Sequence, residues 1–403
     1  MTPASAQAFA DIAERLRHPP AGCPEPGWGQ SLSHGAPGVA LLHIERARTG
    51  AGSWAIVHAW AAAASRTPVA ANPSSGLFHG APAVAFALHG ADQPGYAGAL
   101  RALDGPIATL ARRRVEQAHA RIDRGHLPPL TEYDLISGLT GIGCHLLRRH
   151  PDGAEIRHVL SYLVQLTEPI HMGGEILPGW WTRNGPTDEP SDDFPGGHGN
   201  LGIAHGITGP LALLAVAMKR GVTVAGHADA IGRICAWTDR WRHGSGTEVW
   251  WPPWVTRDEL RTGRVTQHGP SRPSWCYGTP GQARAQQVAA QATGDTDRQR
   301  VAEAALLGCV TDERQLAQLT DVSLCHGWAG LVQTAWRTAA DASTSELAAR
   351  VPYLRAQLLR HRAEPGPDVG LLDGAAGVAL ALHTTASHTP PVSGWDACLL
   401  THG

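Results

Sequence analysis

Two short segments hold side chains suited to joint chemistry: Trp275-Cys276-Tyr277-Gly278 and Cys325-His326-Gly327. Between them they offer two thiols and an imidazole. That donor set is enough for a three-ligand zinc centre with its fourth position open to water or substrate. The residues lack the close spacing of a zinc finger, so the fold would have to assemble the site. A Cys-His pair by itself is weak evidence, because small buried residues and a helix-capping His would look the same. What strengthens the reading is the frame around each segment. Gly278-Thr279-Pro280-Gly281 and Gly327-Trp328-Ala329-Gly330 both lead into small apolar runs.

That frame recurs along the chain. His34-Gly35-Ala36-Pro37-Gly38, His79-Gly80-Ala81-Pro82-Ala83, Ser137-Gly138-Leu139-Thr140-Gly141, His205-Gly206-Ile207-Thr208-Gly209 and Asp373-Gly374-Ala375-Ala376-Gly377 match it, making seven copies with the two above. Runs such as Val39-Ala40-Leu41-Leu42 and Val378-Ala379-Leu380-Ala381-Leu382 follow. They are apolar nearly all round, which as helices means burial. The stretches between, at 53–65, 96–121, 153–166, 226–242, 298–307 and 345–361, are more amphipathic.

One buried and one amphipathic helix per repeat predicts an all-α protein, an α/α toroid with inner and outer rings. An open helical solenoid shares the same period. In a closed ring, each repeated motif starts an inner helix at one rim, at the positive end of its dipole. The rim would gather His34, His79, Asp134, His205, Cys276, Tyr277, Cys325, His326 and Asp373. The glycine spacing is widest mid-chain, so residues near 171–200 and 242–274 read as loop or hairpin insertions within a single domain spanning 1–403. The second carries Trp250, Trp251 and Trp254, which would grip a peptide or simply pack the insertion.

Composition narrows the function classes. With 403 residues, 43% hydrophobic and 17% charged, the chain has ample material for a large core. A formal net charge of -2 gives no general attraction to nucleic acid or anionic membranes. The seven cysteines form no compact disulfide framework. Cys23, Cys144, Cys235, Cys309 and Cys398 read as structural or incidental. Residues 1–17 lack a secretory pattern, and no run approaches the roughly 20 apolar residues of a membrane span. The expectation is a cytoplasmic protein with reduced thiols.

Gly199-Asn200-Leu201-Gly202-Ile203-Ala204-His205-Gly206, together with the Cys276 and Cys325-His326 segments, makes the chain resemble the lanthionine synthetase C-like family over nearly its whole length. These are the zinc-dependent cyclases of lanthipeptide biosynthesis. The resemblance implies an α/α toroid and one zinc ion held by Cys276, Cys325 and His326. It makes His205 the leading acid/base and assigns active-site positions to Asp134, Arg272 and Tyr277. Bland alternatives stand beside these roles: Asp134 as a helix cap, His205 as a hydrogen-bonded lining residue, and Arg272 and Tyr277 as structural groups.

The implied reaction adds a peptide Cys thiol to dehydroalanine or dehydrobutyrine, closing a thioether ring. A free thiol titrates near ~8.5, and zinc binding deprotonates it. Two protein thiolates cancel the zinc charge, so a substrate thiolate leaves the complex anionic and its sulfur electron-rich. His205 would supply or remove a proton. The implied partners are a dehydrated precursor peptide, a separate dehydratase acting first, and an export transporter. Three other classes compete. One is a zinc enzyme adding glutathione to dehydroamino acids. Another is a glycoside hydrolase using Asp134 and Asp373, which would leave the Cys/His set without purpose. The third is a non-catalytic peptide-binding scaffold.

Overall fold

The computed structural model describes residues 3–22, 24–361, 368–387 and 389–403; Cys23 lies outside them. Among the described residues, fourteen long helices alternate between two rings. The inner ring is α2 (Ala36–Arg48), α4 (Ala81–Ala91), α6 (Leu139–Arg149), α8 (Thr208–Lys219), α10 (Thr279–Thr293), α12 (Trp328–Ala340) and α14 (Ala375–Ser387). The outer ring is α1 (Pro3–Arg15), α3 (Trp54–Ala64), α5 (Ala97–Asp123), α7 (Ala154–Leu166), α9 (His227–Arg240), α11 (Thr296–Thr311) and α13 (Glu346–His361). Each of α3, α5, α7, α9, α11 and α13 packs on the inner helix before it, and α1 packs on α14. Each inner helix touches the next, and α14 touches α2, so the ring closes. This decides for the toroid over the open solenoid. Among the described residues no helix is long and apolar enough to cross a membrane.

The double-glycine motif that starts every inner helix but α4, which has Ala83 at the second place, has a steric cause. A Cβ on its second glycine would lie 2.3 Å from the Leu32 carbonyl oxygen at Gly38, 2.2 Å from that of Leu135 at Gly141, and 2.6 Å from that of Ile203 at Gly209. The distances are 1.9, 2.0 and 1.9 Å to Trp275, Leu324 and Leu371 at Gly281, Gly330 and Gly377. In every case the carbonyl belongs to the residue six positions earlier. The turn folds back onto the helix that it starts, and only glycine leaves room. A short polar side chain then ties the turn. Ser31, Ser274 and Ser323 accept from the backbone N–H of His34, Tyr277 and His326 at 3.1, 3.3 and 3.1 Å.

Neighbouring turns are linked to one another by backbone hydrogen bonds. Leu135 N donates to Ala204 O, Ile203 N to Cys276 O, and Cys276 N to Cys325 O. Cys325 N donates to Leu372 O, Leu372 N to Ser33 O, and Leu32 N to Phe78 O. Between the second and third repeats, Arg114 of α5 bridges the carbonyls of Pro73 and Ser137. The rim is therefore a hydrogen-bonded ring, which holds side chains distant in sequence at fixed separations.

The stretched repeats carry the strands. β1 (Ile170–Met172) and β2 (Glu175–Leu177) form an antiparallel hairpin. β3 (His198–Asn200) pairs antiparallel with β4 (Trp254–Thr256), so the segments near 171–200 and 242–274 join each other. Arg257 and Arg261 pair with Glu175, tying β2 to the same unit. Trp251 is buried and Trp250 stacks on His243 at 4.7 Å, so both serve packing.

Residues 391–403 have no counterpart in the repeat pattern. They run inside the ring, where Trp395, Asp396, Leu399 and Leu400 are fully buried. Asp396 receives Arg337 and Gln333 of α12. Arg284 of α10 donates to Thr401 O, and Glu45 of α2 accepts from the backbone of Val392 and Ser393. Helix α10 departs from the apolar inner-helix pattern: Gln282, Arg284, Gln286 and Gln287 are all buried on it, and Arg284 meets this segment. A buried guanidinium needs such partners, since an unpaired one would cost several kcal/mol of the order ~3–5.

Candidate active site

The Cys276 and Cys325 thiols and the His326 imidazole converge, with one ligand atom from each lying within 4.8 Å of the others. Cys276 and Cys325 sit on neighbouring turns joined by the Cys276 N to Cys325 O bond of 3.2 Å. The Cys276 thiol is held well below its usual range, foremost by the hydrogen bond with Cys325 and then by His326 and Ser274, against the effect of burial. Cys325 is pushed up, because its neighbour takes the thiolate and burial disfavours a second one. Two close sulfurs that cannot both ionise unaided, plus a nitrogen donor, form a set that suits a borderline-soft divalent metal.

Charged groups surround His326. Asp321 Oδ2 stands 3.7 Å from its Nε2 and 3.7 Å from Arg272 Nη1. Asp373 Oδ1 stands 3.9 Å from its Nδ1. The structure thus brings Arg272 to the site through Asp321, a residue the sequence reading passed over. Asp373 faces the imidazole, and burial raises its pKa against the opposing effect of His326 and His34.

On the neighbouring turns, His205 Nδ1 lies 2.6 Å from Asp134 Oδ2. Asp134 is fully buried, and its other oxygen accepts from the N–H of Ser137 and of Gly138, both at 2.7 Å. It therefore caps its turn, as Asp favours, and orients the imidazole as well. Burial alone would lower the His205 pKa, but the hydrogen bond and charge of Asp134 outweigh it and the balance is upward. The Tyr277 ring stacks against His205 at 6.3 Å and meets Trp254 of β4 edge-on at 6.1 Å. Burial raises the Tyr277 phenol above its ordinary range, so it stays protonated at neutral pH.

His34 pairs with Asp368 at 3.2 Å. His198 is fully buried in β3, and burial pulls its pKa down to about 4. Cys144, Cys235, Cys309 and Cys398 are buried away from the cluster as free thiols. Asn200 escaped the sequence reading too: its amide donates to the Tyr277 hydroxyl at 3.2 Å. The sequence signal available for Ser274 and Ser323 was the place they share with Ser31 just before their motifs, and for Asp321 the place it shares with Asp368.

The arrangement can hold a metal at two thiols and an imidazole, with a phenol next to Cys276 and a carboxylate-backed imidazole on an adjoining turn. Among curated proteins, the nisin biosynthesis protein NisC of Lactococcus lactis subsp. lactis is 26% identical over 267 residues. That match covers 64% of this chain and 60% of NisC. A solved structure of a nisin cyclase superposes with a TM-score of 0.79 at 22% identity, covering 98% of this chain and 96% of that one, which is a likeness of fold. The family described as lanthionine synthetase C-like protein matches residues 26–400, and the chain belongs to that family.

Proposed function

We propose that this protein is a zinc-dependent lanthipeptide cyclase, closing thioether rings in a peptide that already contains dehydroalanine or dehydrobutyrine. The observation that carries this is the convergence of Cys276, Cys325 and His326 within 4.8 Å, beside the His205–Asp134 pair. Membership of the family and the likeness to a nisin cyclase support it. When held by Cys276, Cys325 and His326, zinc would supply thiol deprotonation and keep the sulfur reactive.

The chain's own residues do the rest. Asp134 holds His205 in one orientation and favours its protonated form. His205 then presents a proton where the attacked alkene's α-carbon becomes basic. Arg272 and Tyr277 would neutralise or hydrogen-bond charge growing on the substrate carbonyl oxygen. A dehydratase must supply the alkene, and the partners are the dehydrated precursor peptide, that dehydratase and an export transporter. A cytoplasmic setting fits the free thiols.

The test uses purified protein, zinc and a dehydrated peptide containing one Cys. The expected result is loss of free thiol at unchanged peptide mass, abolished by a zinc chelator and by Cys276→Ala, which should also lose the metal. Thiol loss no faster than in buffer, with zinc bound, would overturn the reading. Loss only when glutathione is supplied, with a matching mass gain, would redirect it to intermolecular thiol addition.

A further inference from the structure

Asn200 belongs to the Gly199–Gly206 segment, yet neither the metal set nor the acid/base pair uses it. Its side chain is fully buried. Oδ1 lies 2.9 Å from the backbone N of Gly202. A backbone N–H can only donate, so this bond fixes which end of the amide is oxygen. Nδ2 therefore faces the other way, 3.2 Å from the Tyr277 hydroxyl and 3.4 Å from His198 Nε2. The buried, neutral His198 accepts one amide proton, and the phenol oxygen accepts the second. An amide NH₂ has no lone pair to offer, so Tyr277 cannot donate to Asn200.

Among the described residues the Tyr277 hydroxyl has no other hydrogen-bond partner. Its own proton is left for a group that is not part of the protein. The ring already lies against His205 on one side and Trp254 on another. We propose that Asn200 is a positioning residue that turns Tyr277 into an obligate hydrogen-bond donor, aimed at the substrate carbonyl oxygen as it gains enolate charge. The proposal rests on the cyclase reading above for the identity of that oxygen. The proton stays on the phenol throughout, and no bond to it is broken. A preoriented donor of this kind acts where charge develops, and its loss costs on the order of 10²-fold in rate.

Asn200→Asp is the discriminating variant. It retains an oxygen for the Gly202 N–H but places an acceptor opposite Tyr277, so the phenol proton turns back toward residue 200. With zinc content unchanged, kcat should fall to the level of Tyr277→Phe, with KM little altered. Combining the two substitutions should cost nothing beyond Tyr277→Phe alone. Wild-type kcat in Tyr277→Phe overturns the proposal by itself, even if the Asn200 variant does not fold. So does a further loss in the double variant. A second readout needs no substrate: the phenol C–O stretch of Tyr277, taken as an infrared difference against Tyr277→Phe. It should shift from an accepting to a donating position in Asn200→Asp, and an unmoved band rejects the proposal. If the wild-type protein consumes no thiol, the cyclase reading fails instead, and the infrared result still decides the orientation of Tyr277.

Discussion

At the scale of single residues, the His205–Asp134 contact of 2.6 Å controls when the imidazole carries a proton. The folded-state pKa of His205 is raised, with Asp134 the main raising partner. An acid with a raised pKa stays active to higher pH and fails as pH climbs through that value. The cyclisation rate should therefore hold through neutral pH and decline on the alkaline side. In Asp134→Asn the decline should move to lower pH, because burial then acts without the opposing charge. Rate–pH profiles of the two proteins check this, and an unmoved or alkaline-shifted limb would remove His205 from the acid role. Asp134 serves both roles that its sequence position allowed: one oxygen caps the turn while the other holds the imidazole.

At the scale of elements, the double-glycine turn is the unit that matters. A Cβ at Gly330 would sit 2.0 Å from the Leu324 carbonyl, one residue before Cys325. The turn must shift to admit it. Gly330→Ala should cost on the order of 1–3 kcal/mol, the usual range for forced overpacking. It should also weaken metal retention, since Cys325 and His326 ride on the displaced turn. Denaturation and metal analysis read both effects, and an unchanged protein would mean the turn relaxes more freely than its contacts suggest. The repeat was visible in the sequence because this steric demand recurs six times at the same spacing. The insertions were visible only as stretched spacing. That β3 of one pairs with β4 of the other could not be read, because three-residue strands carry almost no periodic signal.

At the scale of the whole molecule, the ring is filled from inside by residues 391–403. Trp395 is fully buried and its Nε1 donates to Thr384 Oγ1 at 3.1 Å. Trp275, next to Cys276, donates its Nε1 to Leu399 O at 3.0 Å, which links this segment to the candidate metal centre. Trp395→Ala should cost about 3–5 kcal/mol, as for other large buried side chains. The midpoint of chemical denaturation measures this, and a loss under about 1 kcal/mol would show that the segment is not part of the core.

The sequence by itself determined the helical repeat and its number, and its resemblance to a family singled out the thiols and imidazole that converge. The repeat is set by local patterning: glycine where a carbonyl approaches, and apolar runs where a helix is buried on all sides. Only the tertiary structure decided that the ring closes, with α1 completing the pair begun by α14, hundreds of residues away. It alone showed that backbone bonds pass from turn to turn around the rim. It also showed that Asp321 stands beside His326 and Asn200 beside Tyr277. The second joins different turns, between partners 77 positions apart. Its energy depends on a distance in space that no local pattern encodes.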